Sequence, residues 1–178
     1  MNGEMIFVDR INKVEEGVVK AEKVICCAML ILMTVATTIQ VILRFIFNMS
    51  LLVGIDELIN WTFVWMVFIG MGMMISTGGH VGLEFIRNKL PVTLHKIGTV
   101  IIDLVMMFMA AVIIKNGIPF VQSQMDILTT SANIPKAFLF LAILIGMTLM
   151  FFHLLVKIIN ICSGRWVVPG TATGKDAD

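Results

Sequence analysis

Charged residues are scarce in this chain. Of its 178 residues only 14% are Asp, Glu, Lys or Arg, whereas 58% are hydrophobic. A soluble globular domain balances the two groups more evenly, so the composition excludes that class and indicates a membrane protein. The net charge of +1 gives no reason to expect a nucleic-acid partner.

Sequence motifs of common catalytic sites are missing as well. The chain contains no P-loop, no H-E-x-x-H and no G-x-S-x-G. A four-helix disulfide oxidase needs pairs of cysteines facing outward, but the three cysteines are Cys26 and Cys27, at the start of the first apolar run, and Cys162, in the C-terminal tail. Haem held by two histidines needs a pair at matched depth, and only His80 and His153 come near that arrangement. We therefore expect no enzymatic activity, no cofactor and no metal site.

What the chain does contain is four apolar runs that are long enough to cross a bilayer. About 20 helical residues cover roughly 30 Å of hydrocarbon. The predicted spans are about residues 24–47, 57–78, 97–116 and 136–157. We expect one all-α integral membrane domain over residues 1–178.

The segment before the first span, about residues 5–22, has helical periodicity. Its apolar residues recur on one face, with charged residues on the others; the apolar set is Phe7, Ile11, Val14, Val18 and Ala21. This pattern predicts a short amphipathic helix that lies on the membrane surface. A frayed polar tail is the alternative.

Lysine and arginine lie mainly on one side of the predicted spans. Ten of the thirteen fall in the N-terminal tail, the second loop and the C-terminal tail, and the other three are Arg44, Lys115 and Lys136. The positive-inside rule then predicts that both termini are cytoplasmic.

Acidic and aromatic residues mark the start of the second span. Asp56 and Glu57 suit a helix N-terminus, where the macrodipole favours negative charge. Trp61 and Trp65 follow one turn apart, either as anchors at the membrane interface or as packing residues.

Small residues mark the other end of the second span. Gly72, Ser76 and Gly79 form a stripe that permits close approach of another helix, although glycine is common in membrane helices in any case. After Gly79, His80 and Glu84 lie in a partly apolar segment, which we interpret as an anchoring corner at the headgroups rather than an active site.

Two ionisable residues lie well inside the later spans, away from the span ends. Asp103 is the only acidic residue well inside a predicted span, and His153 lies at a similar depth in the fourth. Such residues are candidates for function by default. They could pair with one another, and a transport role is the alternative; the outer halves of the spans offer no further ionisable groups for a proton relay.

Several short segments together resemble the small, DctQ-like membrane subunit of tripartite ATP-independent periplasmic (TRAP) transporters. The resemblance rests on their order and spacing over nearly the whole chain; the segments are Arg44-Phe45, Asp56-Glu57, Gly79-His80-Val81 with Glu84, Leu90-Pro91 and Ser131 to Pro135. It implies a location in the bacterial inner membrane.

The resemblance also implies how such a subunit works. In this family a large membrane subunit binds sodium and an organic anion, such as a C4-dicarboxylate or sialic acid, and moves them by an elevator motion. A soluble periplasmic protein delivers the anion. The small subunit would enlarge the static scaffold and bind no substrate itself. An independent small four-helix transporter or channel remains the alternative.

Two further expectations concern the outer loops. Arg44 is expected to pair with Asp56 or Glu57 and so to close the first hairpin. The third loop is expected to help dock the binding protein, unless its polar residues are merely solvated; the candidates are Gln122, Ser123, Gln124, Asp126 and Lys136.

Overall fold

The computed structural model describes residues 2–47, 53–76, 92–129 and 133–163, most of which lie in four long helices. Helix α1 covers Asn2–Phe47, α2 covers Val53–Ser76, α3 covers Val92–Ser123 and α4 covers Ala137–Cys162. Each is long and apolar enough to cross a membrane. The prediction of an all-α fold with four candidate membrane-spanning helices is confirmed.

Helix α1 runs for 46 residues without interruption, so the predicted amphipathic helix is not a separate element. No proline occurs in this stretch, and a single mid-helix glycine such as Gly17 costs only about 1 kcal/mol. The buried face also differs from the predicted one. Val8 and Val19 are buried, whereas Val14 is 57% exposed, because the N-terminal half of α1 packs against another helix.

The four helices form an open arrangement. Helix α2 packs against α1 and α4, α3 packs against α4, and the N-terminal half of α1 reaches across to α4. The outer helices α1 and α3 make no extensive contact with each other over the described ranges. Their outward faces are therefore apolar and uncovered; Ile31 on α1 and Phe108 on α3 are each 65% exposed.

The main apolar cluster joins α2, α3 and α4. Its buried members are Ile75, Ala110, Met150 and Leu154. Methionines from all three helices pack around these side chains; they are Met71, Met106, Met107 and Met147. Flexible thioethers fill the irregular space between helices well.

Helices α2 and α4 approach each other closely at Gly146. A Cβ atom on this residue would lie 2.6 Å from the carbonyl oxygen of Phe68 and 2.7 Å from its Cβ. Because part of the obstacle is main chain, a rotamer change cannot relieve it. Glycine thus permits this helix crossing.

Helix α3 continues through Pro119 to Ser123, past the predicted end of the span at residue 116. The loop that follows is hydrogen-bonded: the Thr129 amide donates to the Ile134 carbonyl and the Lys136 amide donates to the Ile127 carbonyl, both at 2.9 Å. Asn133 has φ 51°, a left-handed conformation that asparagine tolerates better than most residues. These bonds fix the start of α4.

Candidate functional site

A stripe of polar side chains runs along one face of α4 near its C-terminal end. His153, Lys157 and Asn160 lie one turn apart. His153 is completely buried and Lys157 is 7% exposed. Their hydrogen-bonding partners come from α1 and α3, so this stripe is where three helices are joined.

The first contact is an ion pair between α3 and α4. The Lys157 Nζ lies 2.9 Å from both carboxylate oxygens of Asp103 and donates a hydrogen bond to Oδ1. Asp103 is completely buried. A buried carboxylate without a partner would destabilise the protein strongly, and the ammonium group offsets that cost.

The second contact joins α1 to α4 through His153. Its Nδ1 lies 3.4 Å from Glu15 Oε1, and its Nε2 lies 3.2 Å from Glu22 Oε1. Both ring nitrogens can donate to ionised carboxylates at once only when the ring carries two protons. Two turns beyond His153 on α4, Asn160 Nδ2 donates to Asn12 Oδ1 at 2.9 Å.

Helix α2 packs against Glu22 and His153 at Gly72. A Cβ atom there would lie 3.4 Å from Glu22 Oε1, 3.4 Å from His153 Cδ2 and 3.3 Å from Leu149 Cβ. Glycine therefore lets α2 lie directly against the carboxylate of α1 and the imidazole of α4. We name the set Glu15, Glu22, Asp103, His153 and Lys157 the ionic network.

The ionic network is suited to holding helices together rather than to binding a metal. Among the described residues no group of three or more His, Cys, Asp or Glu side chains could hold a metal ion. Two open grooves between α3 and α4 have volumes of about 270 and 410 Å³ and almost wholly apolar linings. The buried charges of the described chain are thus used in contacts between its own helices.

Comparison with known proteins identifies the family. The sequence profile of the DctQ component of tripartite ATP-independent periplasmic transporters matches residues 33–164. The chain belongs to this family. A protein of Haemophilus influenzae (strain Rd), provisionally named a TRAP transporter small permease protein, is 25% identical over 141 residues, which cover 79% of this chain and 87% of that protein. The resemblance noted from the sequence is confirmed, and the chain is a multi-pass membrane component of a transporter.

In this DctQ-family chain the contact between α1 and the start of α2 differs from the prediction. The described contacts give Asp56 a hydrogen bond from Gln40 Nε2 rather than a pairing with Arg44. Arg44 and Asp56 are exposed and Glu57 is half-buried. Gln40 lies one turn before Arg44 on the same face of α1 and is half-buried.

The predicted pairing of Asp103 with His153 is wrong. Each has a partner of its own, Lys157 and the two glutamates of α1. Glu22, which the sequence placed before the first span, lies in the continuous helix α1 and is only 3% exposed. Sequence reasoning assigned Glu15, Glu22 and Lys157 to the tails. His153 and Lys157 are four residues apart and so lie on one face of the helix; this spacing was the sequence signal that could have indicated a polar contact there.

Three further predicted residues of the second span lie among the described residues. Trp61 is buried and Trp65 is half-buried, so at least Trp61 packs within the protein. Ser76, the last residue of α2, is half-buried. The predicted corner residues Gly79, His80 and Glu84 lie outside the described residues.

The predicted docking residues lie where α3 ends and α4 begins. Ser123 Oγ donates to the Phe120 carbonyl at 2.7 Å, and Gln124 Nε2 donates to Ser123 Oγ at 3.4 Å. Gln124 is half-buried; the exposed members are Gln122, Ser123, Asp126 and Lys136. The structure thus brings these residues to one end of the helix bundle.

Proposed function

We propose that this chain is the small subunit of a sodium-driven TRAP transporter for an organic anion, a carboxylate such as a C4-dicarboxylate or sialic acid. In this proposal it lies in the bacterial inner membrane with both termini in the cytoplasm. Its partners are the large membrane subunit and the periplasmic substrate-binding protein.

The pairing within the ionic network is the observation that supports a scaffold role. Every buried ionisable side chain among the described residues has a partner within the protein: Asp103 with Lys157, and Glu22 with His153. A carrier instead directs polar groups at its solute near the middle of the membrane. This subunit therefore serves as a fixed brace against which the large subunit moves.

The polar end of the α3–α4 hairpin is proposed as part of the surface that docks the binding protein. It carries the exposed side chains of Gln122, Asp126 and Lys136, and the loop hydrogen bonds at Thr129 and Lys136 give it a defined shape. Both signs of charge are present, which suits recognition of a polar protein surface.

Reconstitution tests the scaffold role directly. The chain alone, the large subunit alone and the two together are placed in proteoliposomes with an inward sodium gradient, the binding protein and a labelled carboxylate. We expect uptake only when the two membrane subunits are together. Uptake by vesicles that contain this chain alone would instead establish an independent small transporter.

A further inference from the structure

The N-terminal half of α1 turns a basic face away from the rest of the protein. Its inward face carries Val19 and Glu22, which are buried against the other helices. Residues three or four positions apart share one face of a helix. The outward face of this half follows that spacing, and all of its members are exposed: Arg10, Lys13, Gly17, Lys20 and Val24.

Folding creates the positive charge of this face. Residues 9–23 contain four acidic and four basic side chains, so the segment as a whole is neutral. Two of the acids, Glu15 and Glu22, turn inward to His153. The charged side chains left exposed carry a net charge of +2; they are Asp9, Arg10, Lys13, Glu16, Lys20 and Lys23. The four exposed cations form no ion pair with another described residue.

The basic face lies at the level where the spans end. Asn12 contacts Asn160, which is next to the last residue of the α4 span, Ile161. Lys13 is therefore level with that end, and Lys20 lies about 10 Å further along α1. Side chains on a helix tilt toward its N-terminus, which for α1 is the direction of the nearer membrane surface. The ammonium groups can thus extend to the lipid headgroups.

The same face of α1 becomes apolar deeper in the membrane. Val24 is 69% exposed, Ile31 65% and Val35 52%, and they continue the helical spacing that begins at Lys20. A basic end followed by an apolar stripe matches a phospholipid, which joins a phosphate at the interface to acyl chains in the hydrocarbon. An acidic protein segment in the water would match the basic end alone.

Gly17 leaves an opening between two of the lysines. A Cβ atom at Gly17 would meet nothing within 4 Å. Lys13 precedes Gly17 by four residues and Lys20 follows it by three, so the three residues are neighbours on the helix surface. The Lys20 side chain leans toward Gly17, because side chains tilt toward the N-terminus. A phosphate group therefore has room to approach the main chain between two cations.

We propose that the face formed by Lys13, Gly17 and Lys20 binds anionic phospholipids of the leaflet at the N-terminal end of α1, in preference to zwitterionic ones. The phosphate lies at Gly17 between the two ammonium groups, and an acyl chain follows Val24 and Ile31. Anionic lipids are preferred because a zwitterionic headgroup brings a cation of its own next to the phosphate, whereas an anionic headgroup leaves its charge for the lysines.

Photocrosslinking at position 17 tests this preference. The full chain, with a photoreactive amino acid in place of Gly17, is placed in nanodiscs of phosphatidylcholine and phosphatidylglycerol in equal parts, and mass spectrometry identifies the crosslinked lipids. The ratio of phosphatidylglycerol to phosphatidylcholine in the products should exceed that of the bilayer by about threefold or more. High salt should reduce the excess, because it screens exposed charges. A ratio equal to that of the bilayer would overturn the proposal.

Variants of the two lysines and a second labelling position supply the controls. Lys13→Gln combined with Lys20→Gln should bring the ratio close to that of the bilayer, whereas Lys13→Arg combined with Lys20→Arg should keep the excess, because both charges remain. The same photoreactive group at position 108, on the exposed surface of α3, should report the bilayer ratio. Crosslinking of position 17 to another protein in native membranes would instead show that this face is a protein interface and would contradict the proposal.

Discussion

Two glycines determine how closely the helices of this protein pack against one another. At Gly146 the main chain of α2 lies where a Cβ would stand, and at Gly72 the carboxylate of Glu22 and the ring of His153 lie at the edge of contact. The two sites differ in what can move. Side chains can shift by a few tenths of an ångström, but the backbone of α2 cannot shift without separating the helices.

Gly146→Ala is therefore expected to destabilise the protein by about 1 to 3 kcal/mol, because the added methyl group overpacks the crossing. Gly98→Ala is the matched control, since a Cβ at Gly98 meets nothing within 4 Å; it should be neutral or slightly stabilising. Thermal unfolding in detergent measures both. Equal stability of the two variants would show that the helices do not cross as described.

The buried pair of Asp103 and Lys157 gives a second prediction. Lys157→Met leaves the fully buried Asp103 without its cation and should cost about 3 to 5 kcal/mol. Adding Asp103→Leu should recover much of that loss, because the carboxylate is then gone as well. The same unfolding assay on the single and double variants gives the coupling energy. Additive losses would mean that the pair does not form.

At the scale of elements, α1 combines two halves with different tasks. Its C-terminal half contacts α2, and its N-terminal half is held on α4 by Glu15 and Glu22 around His153. The apolar run of the first span was evident in the sequence. Its continuity with the charged segment was not, because helical periodicity along one segment does not show which neighbour its polar face will meet.

His153→Leu should release the N-terminal half of α1. Amides of residues 8–22 should then exchange hydrogen roughly tenfold faster or more, since charge-assisted hydrogen bonds to two carboxylates are lost. Amides of residues 33–46 should be unchanged. Glu16→Gln, an exposed position in the same half, serves as the control. Unaltered exchange in residues 8–22 would show that His153 does not hold this segment.

For the whole molecule, the asymmetry of lysine and arginine supports the proposed orientation in the membrane. A fluorescent protein fused after Asp178 should fluoresce, because it stays in the cytoplasm. Alkaline phosphatase inserted after Asp126 should be active, because it reaches the periplasm. The reverse pair of results would invert the proposed topology.

The number of candidate spans could be predicted from the sequence, because four apolar runs long enough to cross a bilayer are hard to bury in any other way in a chain with so few charged residues. The partners of buried groups could not. Lys157 stands one turn past His153 and reads equally well as a tail residue, and Gly146 resembles any other glycine of a membrane helix. Both acquire their roles only when a second helix is brought against them.

The continuity of α1 has a practical consequence for anyone preparing this protein. Flexible-looking N-terminal extensions are routinely trimmed from membrane proteins before crystallisation or imaging. A chain shortened to begin at the first apolar run, near residue 24, would lose both carboxylates that face His153. Such trimming would remove the hydrogen-bonding partners of the His153 imidazole, and the shortened protein would lack the packing of α1 on α4.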